Sequence, residues 1–330
     1  MSTTTNSADP ITHESATFNA PEAAPPIEEL VHHPDSPDDA VSGDISPAQA
    51  RVIKRLYHGL IDSWFARMVV TLLQRLLPPP HVGLTYHDIA APGLPPRLDG
   101  LRVLHISDLH LRPGSPLALE LPALVADVPH DLLLYTGDFI DDDDGIDHVG
   151  GLLARMPTTA PRYAVLGNHD YYPLGRERGR NDVPRLKRML AHAKVDLMTN
   201  ASRTLYDGDL YLVGLDDPCT KHDDLTKAIA AVPDDACTIM LVHSPDMVKR
   251  LRGFRPALML SGHTHGGQIR LPWIGPLITM SNLPRRAVMG LFSYAGVQVF
   301  VTRGIGYSGL DIRINCPAEA TVLTLRSTPR

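Results

Sequence analysis

A chain of 330 residues with 43% hydrophobic side chains has room for one catalytic domain of about 230 to 250 residues and an extension. The net charge of -6 is unevenly spread: residues 1–50 hold nine Asp or Glu and no Lys or Arg, which leaves 31 basic against 28 acidic residues in the rest. So neutral a body lacks the basic footprint of a nucleic-acid binder, and no nucleic acid is expected as a partner.

The start shows no basic-then-apolar export signal and no twin arginine, and no stretch supplies the roughly 20 apolar residues that span a bilayer, so a cytoplasmic location is expected. Residues 1–45 are rich in Pro, Ser, Thr, Asp, Glu and Ala. With few large apolar side chains they cannot offset the entropy of ordering, and a disordered acidic tail is expected. Ser46-Pro47 is a helix-start signal, and the helix it opens runs to Leu77, where Pro78-Pro79-Pro80 stops it. In this 46–80 segment Ile53, Leu56, Leu60, Trp64, Met68 and Leu72 recur at helical spacing, opposite Arg51, Lys54, Arg55, Arg67 and Arg75. Such an amphipathic helix suits a membrane interface, which would make the protein peripheral at the inner face of the membrane; it equally suits packing on its own catalytic domain or on a second copy.

From Leu84 the pattern becomes α/β, and 81–330 is expected to be one domain. Helices are expected over 116–127, 145–156, 182–193 and 223–232. Asp207-Gly208 between alternating segments predicts a hairpin with a two-residue turn. Beyond Gly267 the pattern is mostly β, clearest over 296–302 and 319–325. Both halves supply strands and helices, so the expected fold class is α/β: two packed mixed β-sheets flanked by helices, a four-layer αββα sandwich.

Five short apolar runs share one grammar, each ending in oxygen- or nitrogen-donor residues. The run 101–106 leads to Asp108 and His110, 131–135 to Asp138, 162–166 to Asn168, His169 and Asp170, 238–242 to His243, and 256–260 to Gly262-His263-Thr264-His265-Gly266-Gly267. The carboxyl edge of a layered α/β sheet is where ligands bind, so Asp108, His110, Asp138, Asn168, His243, His263 and His265 are expected at one site. Cys219, Cys237 and Cys316 stand far apart and form no thiolate spacing, so a metal there takes N and O donors.

The ordered set Asp108-x-His110, Gly137-Asp138, Gly167-Asn168-His169-Asp170, His243 and Gly262-His263-x-His265 resembles the calcineurin-like metallophosphoesterases. The stretch 262–268, with Thr302-Arg303-Gly304-Ile305-Gly306 downstream, more narrowly resembles the bacterial phosphodiesterase branch related to YkuE and YaeI; some members act at membranes, and one lineage hydrolyses the pyrophosphate of a UDP-linked diacylglucosamine. The resemblance implies two metal ions, one on Asp108, His110 and His265, the other on Asn168, His243 and His263, with Asp138 bridging. Such a pair holds a bridging hydroxide for in-line attack on phosphorus. Mn, Fe or Zn suits these donors. His169 is expected to protonate the leaving oxygen or stabilise equatorial charge, with Asp170 orienting its imidazole or merely capping a turn.

Serine/threonine phosphatases of this superfamily carry an arginine shortly after the bridging aspartate. Here Phe139-Ile140-Asp141-Asp142 stands instead, and losing that clamp on a dianionic monoester favours a phosphodiester or pyrophosphate substrate, membrane-associated or nucleotide-lipid in character. The alternatives are a broad phosphomonoesterase and a non-catalytic metal-binding scaffold. Bland readings go to several other features. Asp141 to Asp144 is expected as a solvated loop, His32, His33, His81, His87 and His222 as surface residues, and His105 as a core histidine. Arg285-Arg286 could grip a phosphate or lipid head group and 271–274 with Leu291-Phe292 an acyl chain, or all could simply pack over the site. Arg303 could reach the substrate or pair with a carboxylate.

Overall fold

The computed structural model describes residues 81–173 and 179–329, preceded only by Met68, Thr71 and Leu72. The expected 1–45 tail lies outside the described residues, as does the 46–80 helix apart from those three positions, which are helical and exposed.

Among the described residues fourteen strands follow in order: β1 Val82–Pro92, β2 Leu101–Ile106, β3 Leu132–Thr136, β4 Arg162–Val165, β5 Val195–Leu197, β6 Ala201–Leu205, β7 Leu210–Gly214, β8 Thr238–Leu241, β9 Leu258–Ser261, β10 Arg270–Leu271, β11 Gly275–Pro276, β12 Gly290–Tyr294, β13 Val297–Val301 and β14 Ala318–Thr328. They build two six-stranded sheets, ordered β1-β14-β2-β3-β4-β5 and β12-β13-β9-β8-β7-β6, and the small pair β10-β11. Both large sheets are mixed. In the first, β14 runs antiparallel to β2 while β2 to β5 are parallel. In the second, β7, β8, β9 and β13 are parallel between antiparallel edges.

The apolar runs are continuous because the inner strands are covered on both faces. Alternation along β3 sends Leu132 and Leu134 into the core between the sheets, where they join Leu212, Ile239, Leu241, Leu258, Leu260 and Phe300. Leu133 and Tyr135 point the other way, beneath the helices. Those helices are α1 Pro116–Leu124, α2 Ile146–Arg155 and, after the single turn α3 Asn168–Tyr171, α4 Val183–His192. On the outer face of the second sheet, α5 Leu225–Ile229 and the 3-10 segment Pro245–Arg250 cover Val213, Met240, Met259, Val299 and Val301. The result is the four-layer α/β sandwich, each fully buried Leu or Ile contributing roughly 1.5–3 kcal/mol.

Two helix starts are fixed by caps, Asp182 accepting from the Arg185 N–H at 2.9 Å and Asp224 from the Lys227 N–H at 3.0 Å. The hairpin differs from expectation in its turn. Leu205 pairs with Leu210, which leaves four residues in the loop, and Tyr206, Asp207 and Gly208 all adopt left-handed backbone. His105 is a core histidine: its Nε2 lies 2.8 Å from Thr136 Oγ1, and burial lowers its pKa to about 3, so the ring is neutral. His87 departs from a surface reading, being half-buried with its ring 5.0 Å from that of Phe300.

Candidate metal centre

The carboxyl ends of β2, β3 and β4 meet those of β8 and β9 at one edge of the sandwich. Past the strands the chain keeps a parallel ladder: Asp108 N–H donates to Gly137 O and His110 N–H to Asp138 O, both at 3.0 Å, and Gly262 N–H to His243 O at 3.0 Å. Within these tight turns Asp108, His110, Asp138, His263 and His265 all have left-handed backbone, with φ between 44° and 72°. Non-glycine residues rarely adopt it, and strain of this kind collects at functional sites.

Six of the seven expected donors gather here in two groups. Asp108, His110 and His265 present donor atoms within 4.8 Å of one another, and Asp138, His243 and His263 do the same. In the first group His110 Nε2 faces His265 Nε2 at 3.0 Å and His265 Nε2 faces Asp108 Oδ1 at 3.3 Å. In the second, His243 Nε2 lies 3.3 Å from His263 Nδ1 and 3.1 Å from Asp138 Oδ2. The same Asp138 oxygen is 3.5 Å from His110 Nε2, so one carboxylate faces both groups. Asn168 Oδ1 is buried with no hydrogen-bond partner among the described residues. Converging imidazole nitrogens, carboxylates and an orphaned amide oxygen fit cations, which satisfy lone pairs that protein donors here leave facing each other.

The ring tautomers are set from behind. His243 Nδ1 donates to Thr136 O and His110 Nδ1 to Asp141 Oδ1, both at 2.6 Å, which turns each Nε2 inward, toward Asp138. Asp141, expected on a solvated loop, is therefore a correction: it is 5% exposed, carried under His110 by the bridge Leu111↔Ile140. Only Asp142 to Asp144 reach the surface. Replacing Asp141 by Asn is expected to weaken metal affinity about 10- to 100-fold with little change in fold, as measured by metal-titrated activity.

For Asp170 the capping alternative holds and the orienting one does not. Its carboxylate accepts backbone N–H groups from Gly167 (2.9 Å), Asp138 (3.0 Å), Phe139 (2.7 Å) and Ile140 (3.3 Å), so it clamps two strand ends and does not orient the His169 imidazole. The physical reason is that four converging donors at strand ends outcompete one ring N–H. His169 itself is half-buried. Its N–H donates to Asp138 Oδ1 at 2.8 Å, its carbonyl accepts from Asn181 Nδ2 at 2.8 Å, and its buried Nδ1 has no partner among the described residues.

Charge follows this geometry. Burial opposes ionisation of Asp138, yet the His243 and His169 imidazoles hold its carboxyl well below the usual range. Burial also works against protonated His243 and is overcome by Asp138, which raises its pKa. Burial lowers His265, reinforced by His110 and by Arg313, whose Nη2 stands 3.3 Å from His265 Nδ1. Burial lowers His169 to about 4, with Asp138 opposing, so its imidazole is neutral.

The bare glycines around the donors are filled space. A Cβ on Gly167 would lie 2.2 Å from Asp138 Oδ1 and 2.8 Å from His243 Cε1, and one on Gly262 2.1 Å from Asp108 Oδ2. Gly167→Ala is expected to destabilise the fold by roughly 1–3 kcal/mol and to abolish metal-dependent turnover, checked by thermal unfolding and assay. Arg303 pairs with Glu319 and His222 stacks on Tyr171 at 4.0 Å, so neither lies free at the site.

A sheet edge that gathers two three-donor groups around one carboxylate defines the class of two-metal hydrolases. Residues 101–267 match the calcineurin-like phosphoesterase family. The chain is 30% identical over 263 residues to the metallophosphoesterase YkuE of Bacillus subtilis (strain 168), covering 77% of this chain and 89% of that protein. It is 30% identical over 251 residues to the phosphodiesterase YaeI of Escherichia coli (strain K12), covering 73% and 84%. To the UDP-2,3-diacylglucosamine pyrophosphatase LpxG of Chlamydia trachomatis it is 29% identical over 281 residues, covering 68% and 84%. The chain belongs to the calcineurin-like phosphoesterase family, which uses a binuclear metal centre, and it is a phosphoric ester hydrolase.

Proposed function

We propose that this enzyme hydrolyses a phosphodiester or pyrophosphate bond in a lipid- or nucleotide-lipid substrate at the inner face of a membrane. The observation that carries the hydrolytic reading is the pair of three-donor groups that meet at Asp138; Asn168 Oδ1 is buried without a partner among the described residues. Asp108, His110 and His265 would hold one ion, and Asn168, His243 and His263 the other, with Asp138 shared. Mn, Fe or Zn fits this set of N and O donors. When bound, the pair supplies Lewis acidity to phosphoryl oxygens and lowers the pKa of water.

The chain's own groups do the rest. Asp138 is held anionic by imidazoles and fixed by the His169 N–H, so it keeps the two donor groups in register. The neutral His169 imidazole carries one N–H, which donates to the leaving oxygen or to an equatorial oxygen as charge develops. Asp170 locks the turns after β3 and β4 against each other. Two considerations support a diester or pyrophosphate over a monoester: no arginine stands shortly after Asp138, where Phe139-Ile140-Asp141-Asp142 follows, and relatives are named a phosphodiesterase and a pyrophosphatase.

Chelation of purified protein is expected to abolish hydrolysis of bis(p-nitrophenyl) phosphate, with Mn, Fe or Zn restoring it. The restored enzyme should prefer the diester over p-nitrophenyl phosphate by kcat/KM. A monoester preference would install the phosphomonoesterase reading, and metal-loaded protein without turnover on either would install the scaffold.

A further inference from the structure

The antiparallel pair β10-β11 is a hairpin whose Arg270 opposes Pro276 and whose Leu271 opposes Gly275. At its tip Trp273 is wholly exposed (103%), with Ile274 at 59%, Leu277 at 47% and Leu271 at 37%. Scattered apolar residues on a surface are ordinary, but four in a run of seven, led by a bare indole, form a coherent apolar projection. Trp273 has left-handed backbone, φ 62°, and the Ile274 N–H donates to Pro272 O at 2.8 Å, so the tip is a defined turn.

The hairpin is bolted to the metal centre. A Cβ on Gly267, two residues after His265, would lie 2.2 Å from Pro276 Cβ, so the base of the hairpin sits directly on that backbone. Arg270 Nη1 donates to Gly266 O at 2.8 Å, Leu277 N–H to Ile269 O at 3.0 Å, and the Arg285 guanidinium to Pro276 O. Residues 247–310 contain eight Lys or Arg and no Asp or Glu. Arg250 pairs with Asp223 and Arg303 with Glu319, while Arg285 and Arg286 are exposed beside the hairpin. Asp246, just outside that stretch, is occupied by Ser281 Oγ at 2.6 Å and by the Asn282 N–H.

We propose that this hairpin is an interfacial anchor for an anionic bilayer. Trp273, Ile274 and Leu277 enter the boundary between headgroups and acyl chains, Arg285 and Arg286 meet lipid phosphates, and the mouth of the metal centre faces the membrane plane. An indole with an apolar body and one N–H suits that boundary, and neighbouring basic side chains add attraction to anionic headgroups. The charge argues against a second copy as occupant, because a two-fold contact at the hairpin would set Arg285 and Arg286 against their own copies. The proposal concerns a surface and stands independently of the substrate reading.

The test uses the full-length chain carrying Trp64→Phe, which makes Trp273 the sole indole. With phosphatidylglycerol vesicles, Trp273 emission should shift to the blue, be quenched by lipids brominated on the acyl chain, and be shielded from aqueous iodide. Binding to phosphatidylcholine vesicles should be on the order of 10- to 30-fold weaker, the value of two basic side chains at the surface. In the native chain Trp273→Ala should reduce co-sedimentation with anionic vesicles while leaving hydrolysis of a water-soluble diester unchanged, which excludes misfolding. Vesicle-bound protein whose Trp273 stays open to iodide would overturn the proposal and assign binding to another segment. A concentration-dependent blue shift without lipid would overturn it in favour of self-association, and absence of binding to either vesicle would also overturn it.

Discussion

Asp138→Asn is expected to slow hydrolysis of bis(p-nitrophenyl) phosphate by at least about 10³-fold, roughly 4 kcal/mol of transition-state stabilisation, and to lower bound metal together with it. The two effects share a cause. Asp138 Oδ1 is committed to the His169 N–H at 2.8 Å, while Oδ2 faces His243 Nε2 at 3.1 Å and His110 Nε2 at 3.5 Å. In an asparagine the carbonyl oxygen would take the His169 N–H, leaving the amide NH₂ directed at both imidazoles, where a cation needs an acceptor. Metal analysis beside kcat checks this. A variant that keeps two ions and normal turnover would sink the shared role.

The second large effect is expected at His169. His169→Ala should lower kcat about 10²- to 10⁴-fold with metal content unchanged. Its two structural contacts, to Asp138 Oδ1 and from Asn181, are made by the backbone and survive the substitution. What disappears is a neutral ring whose centre stands 5.1 Å from that of His110 and whose Nδ1 is unpartnered. If the ring N–H hydrogen-bonds the leaving oxygen as charge develops there, the loss should be far smaller for p-nitrophenolate than for an alkoxide. If it stabilises equatorial charge, both should fall equally. Unchanged turnover with either leaving group would remove His169 from the chemistry.

Much of the fold was legible because β2, β3, β4, β8 and β9 are short and mostly apolar, and each runs straight into its donors. A donor two to four residues beyond such a run is carried to the sheet edge by the strand itself, so Asp108, Asp138 and His243 could be placed without coordinates. What escaped reading depends on contacts across the chain. Asp141 resembles its acidic neighbours Asp142 to Asp144, and only the bridge between Leu111 and Ile140 carries it under His110. Arg313 approaches His265 from a loop 48 residues later, and donates to the carbonyls of Arg303 and Gly306 on the way. Asp170 was visible as a residue but its sequence left the ring-orienting and turn-capping roles open, because the four N–H groups it collects come mostly from the turn after β3, which local sequence around position 170 does not show. The two-residue turn failed for a similar reason: Tyr206 and Asp207 accept left-handed backbone ahead of Gly208.

The left-handed backbone at Asp108, His110, Asp138, His263 and His265 also bears on how such a chain can change over generations. At each of these positions glycine would relax the local conformation, and a lineage selected only for persistence of the fold would gain by drifting toward it. A descendant freed from hydrolysis should therefore lose its donors first to glycine, becoming hardier as it becomes inert. Glycine at any of these five positions in a relative is then a direct marker of a phosphoesterase that has left catalysis behind.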